Sequence, residues 1–376
     1  MGNGSGSGSA YVNGAAGRDG VSGETAGRDG VSGETAGQGG VSGEAAGRGG
    51  VSGLHHVGHV VADLGRALEL YRRLGFTLPP PGVPALARRE GEAPEPFGAA
   101  NTHADFARGF VELATVVRPG GGSLPPDARL VPLEAPPEVL PQLVRRIGET
   151  STALGALLDR FEGVHILMLA APDIDAAASR LTAGGQFHGG VNTVRRPVRT
   201  GEGGTVTETV RYLELDGEGP GARGRVAEGR VGVVAELDPE IQATRVLGHP
   251  NGAVGLVDAV LCVADEELEA WQQRYGARLG RPDREVGPAR VFGLGADGGS
   301  VTLVPASGLP AVLPGERAPV LPALVAYTVA VRDLTATREL LEKNGFGVRR
   351  AASTASGDVF VPAAEALGAA VVFRQA

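Results

Sequence analysis

Residues 54–64 read LHHVGHVVADL, and this stretch predicts a strand that leads directly into a helix. Apolar residues alternate over 57–61, which is typical of a strand with one buried face. Asp63 is suited to cap the N-terminus of a helix, because its carboxylate can accept from the first free backbone N–H groups. The helical apolar pattern continues over 64–74, and Gly75 is placed to end it.

The two faces of this strand carry different chemistry. We expect the helix to cover Val57 and Val61, together with His59, which shares their face. His56 then points away from the helix. Gly58 lies beside it on the same face, and its lack of a side chain leaves room for a ligand.

Length, charge and cysteine usage limit the function classes. The chain has 376 residues, with 35 basic and 43 acidic side chains and a net charge of −8, and it contains no basic tract. We therefore expect no nucleic-acid partner. Cys262, the sole cysteine, excludes an intramolecular disulfide framework. No apolar run approaches the ~20 residues of a membrane span, and the N-terminus has no signal pattern. We expect a cytoplasmic protein without a membrane partner.

The first 53 residues differ in kind from the remainder. The sequence AGRDGVSGET occurs at 16–25 and again at 26–35, and related copies follow at 36–45 and 46–53. Each copy offers one valine as its apolar member, too little to offset the entropy of ordering the chain. We predict a disordered Gly-rich tail over 1–53.

The strand and capped helix recur three more times along the chain. The strand position that His56 occupies is found by counting seven residues back from the capping aspartate. This gives His56 before Asp63, Asp258 before Asp265, and Ala326 before Asp333. In the second copy His165 lies eight positions before Asp173, so this copy carries a one-residue irregularity.

Such units cannot bury both sheet faces alone, so we expect them to pair. We predict an α+β fold of four tandem βαβββ modules, paired into two curled-sheet cups. The first pair occupies 54–250 and the second pair 251–376.

These patterns resemble the vicinal oxygen chelate superfamily, which includes glyoxalases, bleomycin-resistance proteins and extradiol dioxygenases. The resemblance rests on residues 56–64 (HVGHVVADL), 110–113 (FVEL), 162–166 (EGVHI), 248–253 (GHPNGA) and 331–334 (VRDL). It spans about residues 54–376. The first motif is fairly specific for the fold, and none of the motifs is specific for a reaction.

The resemblance implies a metal centre in the first cup. In that superfamily the first strand of a module supplies a histidine, the last strand supplies a glutamate, and paired modules converge on one metal. Carried over by position, this implies one divalent ion (Fe, Ni, Mn, Co or Zn) held by His56, His165 and Glu236. Glu112 is the fourth ligand or an exchangeable catalytic base. Glu214 is the alternative to Glu236 in the second module.

The second pair departs from that pattern. Asp258 and Ala326 stand where histidines are expected, and Val304 and Phe373 stand near the carboxylate positions. We therefore expect the second pair to bind no catalytic metal and to serve as a scaffold or lid.

Polar residues near the first cup are candidates for substrate contact. Asn101 and His103 precede the Glu112 strand, in a predicted loop that either lines the mouth of the cup or forms a turn in which Asn101 bonds its own backbone. Arg195, Arg196 and Arg199 offer either a carboxylate clamp or a solvated face.

The resemblance implies three candidate functions. The first is an isomerase or lyase that chelates vicinal oxygens of a small organic substrate and stabilises an enolate. An Fe(II)-dependent ring-cleaving or 2-oxo-acid dioxygenase is the second, and a non-catalytic small-molecule binding or resistance protein is the third. The expected partner is a small-molecule substrate, and a homodimer is considered for the assembly.

Overall fold

The described part of the chain begins before the predicted end of the tail at residue 53. The computed structural model describes residues 50–87, 92–118, 122–133, 138–199, 205–218, 223–236, 238–244, 248–295, 299–352 and 357–376, with side chains except at 195–199 and 205–206. Most of the predicted tail, residues 1–49, lies outside this description. Val51 is fully buried, and the Ser52 N–H donates to the Ala170 carbonyl over 2.8 Å.

Runs of one to five strands separate successive α-helices along the described part of the chain. The strands are β1 (Gly53–Val60), β2 (Gly82–Leu86), β3 (Glu95–Pro96), β4 (Ala99–Asp105), β5 (Phe110–Val116), β6 (Arg129–Pro132), β7 (Gly163–Ala171), β8 (Asn192–Arg199), β9 (Thr205–Glu214), β10 (Arg230–Ala235), β11 (Ala253–Val263), β12 (Arg284–Val286), β13 (Ala289–Gly293), β14 (Ser300–Pro305), β15 (Ala323–Val331), β16 (Arg349–Arg350), β17 (Val359–Val361) and β18 (Ala370–Gln375). The α-helices are α1 (Leu64–Arg73), α2 (Leu140–Leu158), α3 (Ile174–Ala183), α4 (Pro239–Ala243), α5 (Leu268–Leu279) and α6 (Leu334–Lys343). The α+β class is confirmed.

The described strands form one large, open, mixed sheet with two halves. The first half-sheet has the order β6–β2–β4–β5–β1–β7–β10–β9–β8, with β3 paired to the end of β2. The second half-sheet has the order β12–β13–β14–β11–β15–β18–β17–β16. A bridge between Leu324 and Val164 joins the halves, and a second bridge links Arg108 to Gly255.

Three helices begin at an aspartate cap in the way the sequence predicts. The side chains of Asp63, Asp173 and Asp333 accept from the backbone N–H three residues later, which satisfies a donor that the helix itself leaves open. Asp265 begins a short 3-10 turn instead, and α5 follows it.

The core lies between the two half-sheets. One buried cluster includes Leu113 and Leu167 of the first half and Leu261 of the second, with residues of α1, α3, α5 and α6. A separate cluster lies on the other face of the first half-sheet, where Leu154 and Leu157 of α2 pack. We call this face, which also carries Glu112, the α2 face.

A local two-fold repeat relates β1 to β7. The two strands pair antiparallel, and the register shifts once at His55 and once at His165. His165 therefore occupies the position of His55. The residue that corresponds to His56 is Ile166, because His56 pairs with Met168 while Gly58 pairs with Ile166. The second copy therefore has no irregularity of its own: Ile166 lies seven positions before Asp173, as His56 does before Asp63, and each strand carries one β-bulge, at His55 and at His165.

Candidate functional site

Glu112 is the centre of the polar cluster on the α2 face. It lies on β5 opposite Gly58 and is 5% exposed. Asn101 donates its Nδ2 to Glu112 Oε1 over 2.7 Å. Burial raises the pKa of Glu112 above its ordinary range, while the Asn101 hydrogen bond and the charge of Arg230 act in the opposite direction.

Two imidazoles flank this carboxylate. His56 Nε2 lies 3.9 Å from Glu112 Oε2, and His103 Nε2 lies 4.0 Å from Glu112 Oε1. The His56 ring stacks on Phe110 at 4.4 Å, and its Nδ1 lies 2.7 Å from Nδ1 of His55. Asn101 and His103 belong to strand β4, so the predicted loop is wrong.

The structure does not bring His165 to this cluster. Its ring lies 4.1 Å from the Phe161 ring between centroids, and its Nε2 lies 2.8 Å from the Phe161 carbonyl oxygen. Burial lowers the pKa of His165 to about 4. His165 lies eight residues before Asp173, which is the spacing of His55 from Asp63 and not that of His56. The predicted placement of His165 beside His56 is therefore wrong, because this spacing puts His165 at the bulge.

Of the two candidate carboxylates in the second unit, Glu214 is the one near Glu112. Glu236 follows the last residue of β10 and is exposed. Gly232, opposite Met168, holds the position that corresponds to Glu112. Glu214 lies on β9 beside Gly232, and its carboxylate pairs with the Arg230 guanidinium.

The predicted four-residue metal set is therefore not assembled. Adjacent donors around a first-row ion lie about 3 Å apart at metal–donor distances near 2.1 Å, closer than the 3.9 and 4.0 Å between Glu112 and the two imidazoles. Within the described ranges, no three His, Cys, Asp or Glu side chains form a cluster suited to a metal ion. The second module contributes Arg230, whose positive charge acts on Glu112. These residues do not fit the metal that the resemblance implies.

Helix α2 covers the polar cluster around Glu112 on the α2 face of the sheet. A cavity of about 30 Å³ remains beside Glu112, bounded by Ile147, Thr150 and Leu154 of α2 and by Arg230. That volume admits roughly two water molecules. The sequence predicts α2 as a helical connector, and the structure places it over the predicted cup.

An open groove of about 770 Å³ lies next to this cavity, between α2 and β9. We call it the arginine groove after five of its lining residues: Arg145, Arg146, Arg223, Arg225 and Arg230. Thr150 and Arg230 line both the groove and the small cavity, so they form the boundary between them.

Sequence reasoning missed the arginine groove. The arginines come from a helix, a loop and a strand far apart in the chain, and no motif connects them. The arginines that the sequence offers as a carboxylate clamp or a solvated face, Arg195, Arg196 and Arg199, have side chains outside the described part of the structure. A usable signal was Arg230, a charged residue at the start of an apolar strand.

No described helix is both long enough and apolar enough to cross a membrane. The predictions on nucleic acid, homodimer and cytoplasmic location stay predictions.

Comparison with solved structures finds similar folds at low identity. A hypothetical protein from Staphylococcus aureus is 10% identical, with 86% of this chain and 99% of that chain covered and a TM-score of 0.48. A mutant of 4-hydroxymandelate synthase from Streptomyces coelicolor is 13% identical (86% and 93% covered, TM-score 0.48). The Mn(II)-bound glyoxalase from Novosphingobium aromaticivorans is 12% identical (87% and 82% covered, TM-score 0.45). These structural similarities do not indicate a function.

Comparison with curated proteins gives no significant match. Comparison with family models does: the model described as "Glyoxalase-like domain" matches residues 54–279. That range contains the first half-sheet, the cluster around Glu112 and the start of the second half-sheet. The chain therefore belongs to the glyoxalase-like domain family.

Proposed function

We propose that this protein is an isomerase- or lyase-type enzyme that binds a small organic anion in the arginine groove and uses Glu112 to transfer a proton. One observation carries the proposal: a buried carboxylate with a raised pKa lies directly behind a groove lined by arginines. A base with a pKa raised toward neutrality is suited to proton transfer.

The groove supports an anionic substrate. It gathers five arginines in a protein whose net charge is −8, against the two carboxylates of Glu149 and Glu214. Nη1 of Arg146 is buried and has no hydrogen-bond partner among the described residues. A carboxylate or phosphate would satisfy that donor in the two-point geometry that guanidinium groups favour.

The two oxygens of Glu112 have different surroundings. Oε1 accepts the hydrogen bond of Asn101, which holds the carboxylate in place. Oε2 lies on the side of His56, and we assign it as the oxygen that takes a proton from a substrate carbon next to a carbonyl or carboxylate. Arg230 would stabilise the enolate oxygen. Return of the proton to another atom of the same molecule completes an isomerisation without a co-reactant.

The substrate reaches Glu112 only if α2 moves. The 30 Å³ beside Glu112 does not admit a substrate carbon with its substituents, and α2 supplies three of the residues that close it. Displacement of α2 at Thr150 would join the cavity to the arginine groove. We therefore assign α2 as a lid over the first site.

Deuterium exchange tests the proposal without knowledge of the product. Small 2-oxo and 2-hydroxy carboxylates are incubated with the protein in D₂O, and loss of the carbon-bound proton is followed by NMR. We expect catalysed exchange for at least one compound, a loss of about 10²-fold or more in Glu112→Gln, and unchanged exchange in Glu240→Gln, an exposed control. Arg146→Gln should raise the KM with little change in kcat. Binding without any exchange would overturn the proposal and favour a non-catalytic binding protein.

Metal analysis of protein purified without chelator provides the second arm. We expect no stoichiometric transition metal. Iron, manganese, nickel, cobalt or zinc at one equivalent, lost in His56→Ala, would overturn the metal-independent reaction. Iron with oxygen consumption would then favour the dioxygenase.

A further inference from the structure

The second half-sheet borders a cavity that is separate from the site around Glu112. Its volume is about 500 Å³, and its polar floor includes Asp258, Thr302 and Thr328. We call it the Asp258 cavity. Its size falls within the range of pockets that bind small organic molecules.

Asp258 is a buried carboxylate held by neutral donors. It lies on β11 and is 7% exposed. The Ser300 hydroxyl donates to Oδ1 over 2.8 Å, and the Thr302 hydroxyl lies 3.0 Å from Oδ2. Burial raises the pKa of Asp258 to about 6, while these hydrogen bonds and the charge of Arg374 act in the opposite direction. A cation would compensate this burial.

The other charges at the cavity are already matched or lie at its edge. Arg374 donates from Nε and Nη2 to Asp358 Oδ2 over 2.9 and 2.8 Å, and Asp358 is fully buried. Arg284 is exposed on β12. Among the described residues that line the cavity, Asp258 is thus the carboxylate without an ion pair.

The walls are apolar. Val260, Val286, Val291, Leu313 and Val372 line the cavity around Asp258. Apolar walls with one polar anchor are the usual construction of a small-molecule site, in which the anchor sets orientation and the walls supply affinity.

We propose that the Asp258 cavity binds a small organic cation, a primary amine on an apolar body whose ammonium group donates to Asp258. This site is independent of the proposed proton transfer at Glu112, because it lies in the other half-sheet and selects the opposite charge. It also gives the second half-sheet a role beyond that of a scaffold or lid.

Three probes of similar shape test the charge preference: phenethylamine, 2-phenylethanol and 3-phenylpropanoate. Binding to the full chain is measured by calorimetry at about pH 8, where the amine is protonated. We expect phenethylamine to bind with a Kd at least about tenfold lower than either analogue. Equal or tighter binding of the alcohol or the acid would overturn the proposal, and so would failure of all three to bind.

Variants locate the effect. Asp258→Asn should remove the preference for the amine, while Glu266→Gln, the same change at an exposed position, should keep it. Val291→Phe should weaken binding of the amine about tenfold or more, because the larger ring fills the cavity from a half-buried position. A preference for the amine that persists in Asp258→Asn would overturn the proposal, and so would undiminished amine binding in Val291→Phe, which stays informative if Asp258→Asn folds poorly.

Discussion

His59 is at the centre of a buried hydrogen-bond chain between the two halves of the molecule. Its Nε2 lies 2.6 Å from the Leu367 carbonyl and its Nδ1 lies 2.8 Å from the Tyr71 hydroxyl. A carbonyl only accepts, so we assign the proton to Nε2, and Nδ1 then accepts from Tyr71. The Tyr71 hydroxyl in turn lies 2.8 Å from that of Tyr327. The prediction that His59 faces the helix-covered side is confirmed, because Tyr71 belongs to α1.

This environment makes His59 a source of acid sensitivity. Burial lowers the pKa of His59 from 6.5 to about 4. Below pH 6.5 His59 takes up a proton in the unfolded chain but not in the folded chain. The unfolding free energy is therefore highest above pH 6.5 and falls as the pH is lowered to about 4, where the folded chain takes up the proton as well. The shift corresponds to about 3 kcal/mol. In His59→Gln, urea unfolding should show a smaller loss of unfolding free energy between pH 6.5 and 4.

His165 supplies the comparison for that measurement. Its pKa is also lowered to about 4, and burial lowers the pKa of His249 as well, so the wild-type pH dependence contains several groups and His59→Gln should remove only part of it. An unchanged slope in His59→Gln would contradict the assignment of a neutral, buried imidazole.

At the scale of elements, α2 is a weakly anchored helix. Of its 19 residues, Ile147, Leu154 and Leu157 are buried, and its N-cap position makes no side-chain hydrogen bond. Gly148 and Gly155 lie within it, and glycine in a helix interior is destabilising relative to alanine. A Cβ added at either position meets nothing within 4 Å.

Alanine at these two glycines should stabilise α2 by about 0.5–1 kcal/mol each. Amide hydrogen exchange over 140–158 should slow in Gly148→Ala and Gly155→Ala. If α2 is the lid of the first site, the double variant should also turn over more slowly, because opening costs more free energy.

Gly232→Ala is the matched control for the alanine series. Its Cβ would overlap the Leu213 carbonyl oxygen and lie 2.7 Å from Met168 Sδ, so this change should destabilise the protein. Faster amide hydrogen exchange of α2 in Gly148→Ala and Gly155→Ala would contradict the expectation that alanine stabilises this helix.

At the scale of the whole molecule, the segment before β1 connects distant parts. Val51 is fully buried, and the Arg281 guanidinium, which follows α5, donates to the Val51 carbonyl over 3.2 and 3.3 Å. Ser52 bonds to β7 through its backbone N–H. The two residues therefore connect the first half-sheet to the second.

A chain that begins at residue 54 should accordingly be less stable than one that begins at residue 50. We expect a loss of about 2 kcal/mol or more in unfolding free energy, from the valine burial alone. The comparison is made by urea unfolding, with Val51→Ala in the longer chain as the control for the side chain. Equal stability of the two chains would show that residues 50–53 belong to the tail, as the repeat predicts.

The sequence by itself determined the opening strand of each copy and the aspartate caps of α1, α3 and α6, whereas β4 lies where it predicts a loop. Alternation over 57–61, the aspartate caps and the glycine that ends α1 are local properties, because a capped helix or an alternating strand is specified by neighbouring residues. The same local reasoning identified His56 and Glu112 on one face, since side-chain direction along a strand follows from its period of two. The family resemblance likewise rested on contiguous motifs.

Only the tertiary structure decided what surrounds Glu112. The bulge at His165, the exposed end of β10 at Glu236 and the position of α2 depend on which strands pair and in which register. The arginine groove and the Asp258 cavity combine residues from several elements each. A register shift of one residue reverses the face of a side chain, and sequence spacing does not specify it. The sequence therefore identified Glu112, and the packing of distant segments determined which residues surround it.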